Sequence, residues 1–302
     1  MNGGSPDRTM GKSGSSSLLG IARLAAATVI VAGVAGGTTL AESAQSAIVA
    51  RLPSGHPALT QSELTVRIGT TNFPVTAIRK SPDVPRSIAI VLDVGPDQTE
   101  VLFKEKEIAM ALINELSDSR TSFTVVRAGT SAKVEETAVD RSLAIKGVSA
   151  MTADTGRKAG APIYDAVGAA IHETSRSPGL RIVLFIGEGN DGGSTMSYPE
   201  LRTLAEANHV AFFAALVASH SLRGTKSILR YGWNLRALAG ETAGLFLENR
   251  KTTKATRTLG ECMRALRLIT FDMPSRPPGR YEIRVSATGG ARLRAQRSIY
   301  VP

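Results

Sequence analysis

The apolar run at residues 88–92, which ends at Asp93, constrains the fold of this chain more than any other feature. It lacks the alternating polar residues of a strand that faces water on one side, so it predicts a strand buried on both faces, as in parallel sheets. Asp97 follows Asp93 by four residues. Because ligands of open α/β sheets bind beyond the carboxyl ends of the strands, these two carboxylates mark a candidate site.

Strand and helix patterns alternate from this run to about residue 250. The alternation predicts an α/β fold of three layers, in which a mostly parallel central sheet is flanked by helices. The predicted strands are 123–128, 132–138, 181–186, 210–217 and 245–247, and the predicted helices are 99–116, 162–171, 199–208 and 234–243. In the first helix the charged residues 104–107 are expected on the exposed face, opposite the apolar residues.

Strand patterns also occur outside this alternating region. They cover 64–68 and 73–78 near the start, and 266–271, 281–285 and 294–301 near the end. We expect these segments to form a small β-module that brings the two ends together. The predicted organisation is a signal peptide at 1–41, an N-terminal β-strand segment and linker at 42–85, the α/β domain at 86–266 and a C-terminal β-segment at 267–302.

The first 41 residues have the pattern of a secretory signal. Basic residues precede an apolar run at 24–34, and Thr39 and Ala41 are the small residues expected before a cleavage point. The apolar run is short for a membrane span, although a retained N-terminal anchor is the alternative. The sequence therefore predicts an exported protein, periplasmic or extracellular, with neither a nucleotide nor a nucleic acid as its partner.

The chain is basic, with 36 Lys and Arg against 26 Asp and Glu and a net charge of +10. Many of the basic residues lie in the last third, where they could attract an anionic surface or simply form a solvated face. They are Arg223, Lys226, Arg230, Arg236, Arg250, Lys251, Lys254, Arg257, Arg264, Arg267, Arg292, Arg294 and Arg297. Cys262 is the single cysteine, so the chain has no intramolecular disulfide and no cysteine-based metal cage.

Three loops carry the residues expected at the carboxyl edge of the sheet. Their sequences are Asp93-Val-Gly95-Pro-Asp97, Gly160-Ala161-Pro-Ile-Tyr-Asp165 and Gly187-Glu188-Gly-Asn190-Asp191. In order and spacing they resemble the loops of the von Willebrand factor A-type (VWA) domain, especially its secreted bacterial members, and the resemblance covers about residues 86–250. It implies a partner-binding module whose loops hold Mg²⁺ or Mn²⁺ at a metal-ion-dependent adhesion site, through an Asp-x-Ser-x-Ser motif, a threonine and a later aspartate.

The chain departs from this motif. Gly95 and Asp97 stand at the two serines, Ala161 at the threonine and Glu188 at the later aspartate, so hydroxyl ligands are lost. Asp93, Asp97 and Glu188 are the remaining candidate ligands for Mg²⁺, Mn²⁺ or Ca²⁺. Alternatively, Asp97 caps the following helix, with Glu100 completing a capping box. The prediction is a binding module that is metal-independent or has an altered site, with Gly95, Gly160, Ala161, Asp165, Asn190 and Asp191 in its binding loops.

Enzymatic motifs are weak in this sequence. The glycine spacing of residues 187–192 matches a dinucleotide-binding fingerprint, but the next strand does not end in the required acidic residue. His220 with its neighbouring serines lacks an evident base and orienting group. We therefore predict a non-enzymatic protein that binds a protein or an envelope component. The alternatives are an envelope hydrolase that uses the loop carboxylates, and a basic scaffold that docks on anionic surfaces.

Overall fold

The computed structural model describes residues 44–52, 59–155, 160–217, 232–248, 251–288 and 293–301, with the backbone alone for Ala44, Gln45 and Asp97. All of these residues belong to one unit, residues 41–302. Several sequence interpretations lie outside the described part: the signal segment 1–41, the His220 loop, the side chain of Asp97, and the basic residues Arg223, Lys226, Arg230, Arg250 and Arg292. No helix in the described ranges has the length and apolar character needed to cross a membrane.

The first sheet has six strands in the order β6-β5-β4-β7-β8-β9. These strands are β4 (Arg86–Asp93), β5 (Thr121–Ala128), β6 (Ala132–Val139), β7 (Leu180–Gly187), β8 (Val210–Leu216) and β9 (Leu245–Glu248). Strand β4 is buried along its whole length and pairs in parallel with β5 and β7. The pairings of β7 with β8 and of β8 with β9 are also parallel, whereas β5 and β6 are antiparallel.

Helices cover both faces of this sheet. The described helices are α1 (Leu102–Leu116), α2 (Arg141–Ala150), α3 (Ile163–Ser175), α4 (Tyr198–Ala207), α5 (Trp233–Glu241) and α6 (Thr252–Arg264). One apolar core lies between the sheet and α1, α2 and α6, and a second lies between the sheet and α3, α4 and α5. The predicted α/β class is therefore confirmed.

The second sheet has seven strands in the order β12-β1-β10-β3-β2-β11-β13. Its strands are β1 (Ala44–Arg51), β2 (Leu64–Ile68), β3 (Thr71–Lys80), β10 (Leu266–Met273), β11 (Gly279–Ala287), β12 (Arg294–Ala295) and β13 (Ser298–Val301). All of its pairings are antiparallel. The central sheet is mixed, with four parallel pairings and one antiparallel pairing, whereas the second sheet is antiparallel throughout. The expectation of mostly parallel pairing therefore does not extend to the protein as a whole.

This second sheet joins strands from both ends of the described chain and is larger than the small module expected. Its edge strands β12 and β13 are consecutive in sequence, separated only by Gln296 and Arg297. The sheet therefore curls until its two edges meet, and its inner face encloses an apolar core of its own. The single strand predicted at 294–301 is interrupted at this point, because the chain crosses from one edge to the other.

Sequence patterning missed strand β1 and two helices. Helix α2 begins after Asp140, whose carboxylate accepts hydrogen bonds from the amides of Ser142 and Leu143 at 2.8 and 3.0 Å. This N-cap signal is present in the sequence, but the helix buries only two residues, so its apolar stripe is short. Helix α6 buries Ala255, Leu259 and Met263 among basic residues, and that composition hid its periodicity.

Candidate functional site

The three loops singled out in the sequence meet at the carboxyl edge of the six-stranded sheet. A Cβ atom built on Gly95 would lie 3.2 Å from Oδ1 of Asp93 and 3.8 Å from Cβ of Ala161. The second and third loops also touch, because the amide of Gly192 donates to the carbonyl of Ala161 at 2.9 Å. The edge is therefore one continuous surface built from the ends of β4 and β7 and the start of α3.

Asp93 is held rigidly at the end of β4. Its side chain is buried, and its Oδ1 accepts a hydrogen bond from the amide of Gly95 at 3.1 Å. On the neighbouring strand, a Cβ atom at Gly187 would lie only 2.2 Å from Cβ of Asp93. Glycine at 187 is therefore required by the close approach of the two strand ends, which fixes Asp93 against β7.

Glu188 follows Gly187 and is also buried, with 7% of its surface exposed. The carbonyl of Gly187 accepts a hydrogen bond from the amide of Val217 at 2.9 Å, so the ends of β7 and β8 are tied together beneath it. Glu188 is therefore covered by the protein and is not a solvated turn residue.

A third carboxyl group, Glu105 of α1, lies in the same region. The expected position of Glu105 on the exposed face of its helix is wrong, because the residue is 0% exposed. Both of its carboxyl oxygens are buried with no hydrogen-bond partner among the described residues. Burial raises the pKa of Glu105 well above its ordinary value, and the charges of Asp93 and Glu188 raise it further. These effects favour the neutral, protonated acid.

The position of Glu105 could have been found from helical spacing. It lies three residues after Leu102 and three before Ile108, both of which are buried on the face of α1 that packs on the sheet. Residues three apart share one face of a helix, so the apolar stripe passes through position 105. The run of four charged residues concealed this placement.

The carboxylates of Asp165 and Asp191 bind backbone groups within the loops. Asp165 accepts hydrogen bonds from the amides of Thr195 and Met196 at 2.9 and 2.8 Å. Oδ1 of Asp191 accepts from the amide of Tyr164 at 3.1 Å, at the first turn of α3. Both side chains therefore fasten the loop after β7 to the start of α3 and preorganise the edge.

Other predicted loop residues take part through their backbones. A Cβ atom at Gly160 would lie 2.9 Å from Cα of Gly192 and 3.4 Å from the carbonyl oxygen of Asn190. The backbones of the second and third loops thus pass within van der Waals contact of each other. This approach leaves no room for a side chain at residue 160.

The helix start expected at residue 99, on which the capping role of Asp97 rests, is wrong. The backbone of Asp97 lies inside a short 3-10 helix, Pro96–Gln98, which begins after Gly95. Helix α1 starts only at Leu102, with Val101 as its N-cap residue. A residue four positions before the N-cap cannot cap this helix, because a capping side chain must reach the amides of the first turn.

A fourth loop, the one that follows α2, closes one side of the edge. The amide of Asp154 donates to the carbonyl of Val94 at 2.8 Å, just beyond the end of β4. The carboxylate of Asp154 pairs with Arg127 of β5 and accepts a hydrogen bond from the amide of Thr130. The loop that follows α2 is thereby attached to the ends of β4 and β5.

The described residues do not fit the metal site implied by the family resemblance. Gly95 and Ala161 offer no side-chain oxygen, and Ala161 is buried with its carbonyl engaged by the amides of Ile163 and Gly192. Within the described part of the chain, no group of three or more His, Cys, Asp or Glu side chains is arranged to hold a metal ion. A hard divalent cation needs six or more oxygen ligands, several of them from the protein.

Two exposed aromatic residues stand at this edge. Phe103 lies in the first turn of α1, which follows β4, and 62% of its surface is exposed. Trp233 opens α5 and is 68% exposed. Its neighbour Gly232 lies at the edge, since a Cβ atom on Gly189 of the third loop would be 3.8 Å from Cα of Gly232. The sequence did not indicate either residue as a candidate, because the solvent exposure of an aromatic side chain cannot be inferred from its residue type alone.

No protein-family model and no curated protein matches this sequence. Solved structures do resemble it in three dimensions. Proximal thread matrix protein 1 from the mussel byssus matches with a TM-score of 0.51 at 13% identity, over 66% of this chain and 51% of that chain. A structure of the same mussel protein with a zinc-occupied MIDAS motif matches with a TM-score of 0.51 at 16% identity, over 66% of this chain and 49% of that chain.

A von Willebrand factor type A protein from Catenulispora acidiphila is also similar, with a TM-score of 0.48 and 11% identity over 86% of this chain and 73% of that chain. At such low identities, structural likeness speaks for the fold alone. The helices on both faces of the six-stranded sheet and the three loops at its carboxyl edge agree with that likeness. This chain therefore has the fold of the MIDAS-bearing mussel protein, in agreement with the von Willebrand factor A-type fold that its loops resemble.

Proposed function

We propose that this protein is an exported, non-enzymatic binding module that holds a protein partner or an envelope component at the carboxyl edge of its six-stranded sheet, without a bridging metal ion. The observation that carries the proposal is the exposure of Phe103 and Trp233 at that edge. Large aromatic side chains dominate the binding energy of protein interfaces and are costly to leave in water.

The distribution of exposed apolar residues supports this choice of surface. Three large hydrophobic side chains are exposed in the described part: Phe103, Leu143 and Trp233. Two of the three stand at the carboxyl edge, where the loops are fastened to one another by Asp165 and Asp191. A surface that is rigid before binding loses little conformational entropy when a partner docks on it.

The carboxyl groups at the edge support a non-enzymatic role. Asp93, Glu105 and Glu188 are 3%, 0% and 7% exposed. A general acid or base must come within hydrogen-bond distance of its substrate, and these three side chains are covered by the protein. The hydrolase alternative would need the loops above them to open.

A capture experiment with matched variants tests the proposal. The immobilised protein is exposed to an envelope extract of its source cells, beside Phe103→Ala/Trp233→Ala and the control Leu143→Ala. We expect proteins or glycans that are retained by the wild type and by the control but are lost from the double variant. Retention should survive a chelator such as EDTA.

Two results would contradict the proposal. Equal retention by all three proteins, or no retention by the wild type, would show that the carboxyl edge is not the binding surface. Release of the retained material by the chelator would show that binding needs a metal ion, against the metal-independent mode.

A further inference from the structure

A pair of arginines faces each other across two strands of the seven-stranded sheet. Arg67 of β2 lies directly opposite Arg284 of β11 in the antiparallel register, and both side chains are exposed. Like charges at directly opposed positions destabilise a sheet. Guanidinium groups do not lose their protons in proteins, so the repulsion between these two side chains is permanent.

The available carboxylate compensates only one of the two arginines. Nε and Nη2 of Arg284 each donate to Oε1 of Glu282 at 3.2 Å. The side chains of this pair are 73% and 70% exposed, and such surface pairs contribute little and exchange readily. Nε of Arg67 donates to the carbonyl of Gly69 at 2.8 Å, and no described carboxylate forms an ion pair with Arg67. Two guanidinium groups and one carboxylate therefore leave a single net positive charge.

The two arginines also share a cavity. Arg67, Gly69, Glu282 and Arg284 line a space of about 130 Å³. Gly69 belongs to the two-residue turn between β2 and β3, and a Cβ atom at this position would meet no other atom within 4 Å. The turn therefore adds no side chain to the wall of the cavity, and a small oxyanion can reach the two exposed arginines from solvent.

Opposed cations recur elsewhere in the same sheet. Lys80 of β3 is opposite Arg267 of β10, and Arg51 of β1 is opposite Arg294 of β12. These pairs lie on different strands from Arg67 and Arg284, so they do not form one continuous stripe. Arg51 is also buried, so these pairs do not extend the Arg67–Arg284 site into a continuous basic groove.

We propose that the Arg67–Arg284 pair binds the phosphodiester group of an anionic membrane lipid. A guanidinium group presents parallel N–H donors that match phosphate oxygens, and a phosphodiester carries the single negative charge that complements this site. An isolated site of this kind suits a single lipid head group, whereas nucleic acid binding neutralises a series of phosphates along one track. This surface lies on the other sheet from the proposed partner-binding edge and is independent of it.

Vesicle sedimentation of the full chain tests the proposal. The vesicles contain equal parts of phosphatidylglycerol and phosphatidylcholine, and vesicles of phosphatidylcholine alone report any contribution of the apolar N-terminal segment. The variant is Arg67→Gln/Arg284→Gln. Its control, Lys133→Gln/Arg176→Gln, removes the same charge from exposed ion pairs of the six-stranded sheet and its helices.

We expect the wild type and the control to bind the anionic vesicles more tightly than the neutral ones. The arginine variant should lose affinity for the anionic vesicles by roughly thirtyfold, since each arginine near an anionic surface contributes about a factor of five. Its unfolding temperature should not fall, because the substitution removes a repulsive pair. This second readout shows that the variant is folded.

Other results would overturn the proposal. Equal loss of binding in the control would show a general charge effect, and full binding by the arginine variant would place the lipid contact elsewhere. If soluble glycerophosphoglycerol bound while the vesicles did not, the ligand would be a free phosphodiester and the membrane assignment would be wrong. If the protein bound neither the vesicles nor glycerophosphoglycerol, the Arg67–Arg284 pair would not be a phosphodiester site.

Discussion

The guanidinium group of Arg280 in β11 donates to both carboxylate oxygens of Glu206 in α4, at 2.7 and 2.8 Å. Glu206 is fully buried and also accepts hydrogen bonds from Arg202 and Ser298. Burial alone would raise the pKa of Glu206, but these hydrogen bonds lower it below its ordinary value. The contact fastens the seven-stranded sheet to a helix of the six-stranded sheet, so the two sheets are expected to unfold together.

Loss of Arg280 should therefore weaken the whole unit. We expect Arg280→Ala to lower the free energy of unfolding by about 2 kcal/mol, because a buried carboxylate loses its bidentate partner while Arg202 remains. The control is Arg284→Ala on the same strand, which removes an exposed and repelled side chain and should change stability by less than about 0.5 kcal/mol. Chemical denaturation measures both, and equal losses would contradict the account.

Glu105 makes stability depend on pH. Its pKa is raised in the folded protein, so its contribution to stability is complete below the pKa of the unfolded chain and is lost as the pH rises through the folded pKa. Glu105→Gln is neutral at every pH and escapes this loss. Thermal unfolding at a series of pH values should show that the stability of the variant relative to the wild type increases as the pH rises. A constant difference between the two would refute the protonated state.

The close approach at Gly187 predicts a steric cost. A Cβ atom there would lie 2.2 Å from Cβ of Asp93 and 2.9 Å from the ring of Phe185. Gly187→Ala should destabilise the protein by about 1–3 kcal/mol, as expected for an overpacked core. At Gly240, inside α5, a Cβ atom meets nothing within 4 Å, so Gly240→Ala should stabilise by about 0.5–1 kcal/mol. In a urea titration we expect the free energy of unfolding to fall in Gly187→Ala and to rise in Gly240→Ala.

The missing oxygen ligands predict weak metal binding or none. Calorimetric titration of Mg²⁺, Mn²⁺ and Ca²⁺ into the wild type should give the same heats as titration into Asp93→Ala, since Gly95 and Ala161 supply no hydroxyl groups. A saturable heat that disappears in the variant would show that Asp93 belongs to a metal site, and the metal-independent mode would then be wrong.

The sequence was most informative where local pattern and burial agree. Strand β4 could be predicted because all eight of its residues are buried, and the three loops followed from the strands that end beside them. Asp93 and Glu188 could be placed at the edge for the same reason. The VWA-type fold was predictable from this order of strands, helices and loops.

Features set by distant contacts could not be predicted. Helical spacing alone places Glu105 on the buried face of α1, but its proximity to Asp93 depends on how α1 packs on the sheet. The opposition of Arg67 and Arg284 requires a strand register between residues more than two hundred positions apart. The break between β12 and β13 depends on Gln296, whose amide donates to the carbonyl of Glu206 in α4. The pattern of a single sequence does not show which of these distant residues come into contact.

Trp233 is the only tryptophan in the chain, so its fluorescence can show whether a partner binds at the carboxyl edge. The material retained in the capture experiment is titrated into the wild type, Phe103→Ala and Leu143→Ala. We expect Trp233 emission to shift to the blue on binding. The affinity should be at least tenfold weaker in Phe103→Ala, a loss of about 1.4 kcal/mol or more, and unchanged in Leu143→Ala. Binding that leaves the emission unchanged and is equally tight in all three proteins would contradict binding at the carboxyl edge.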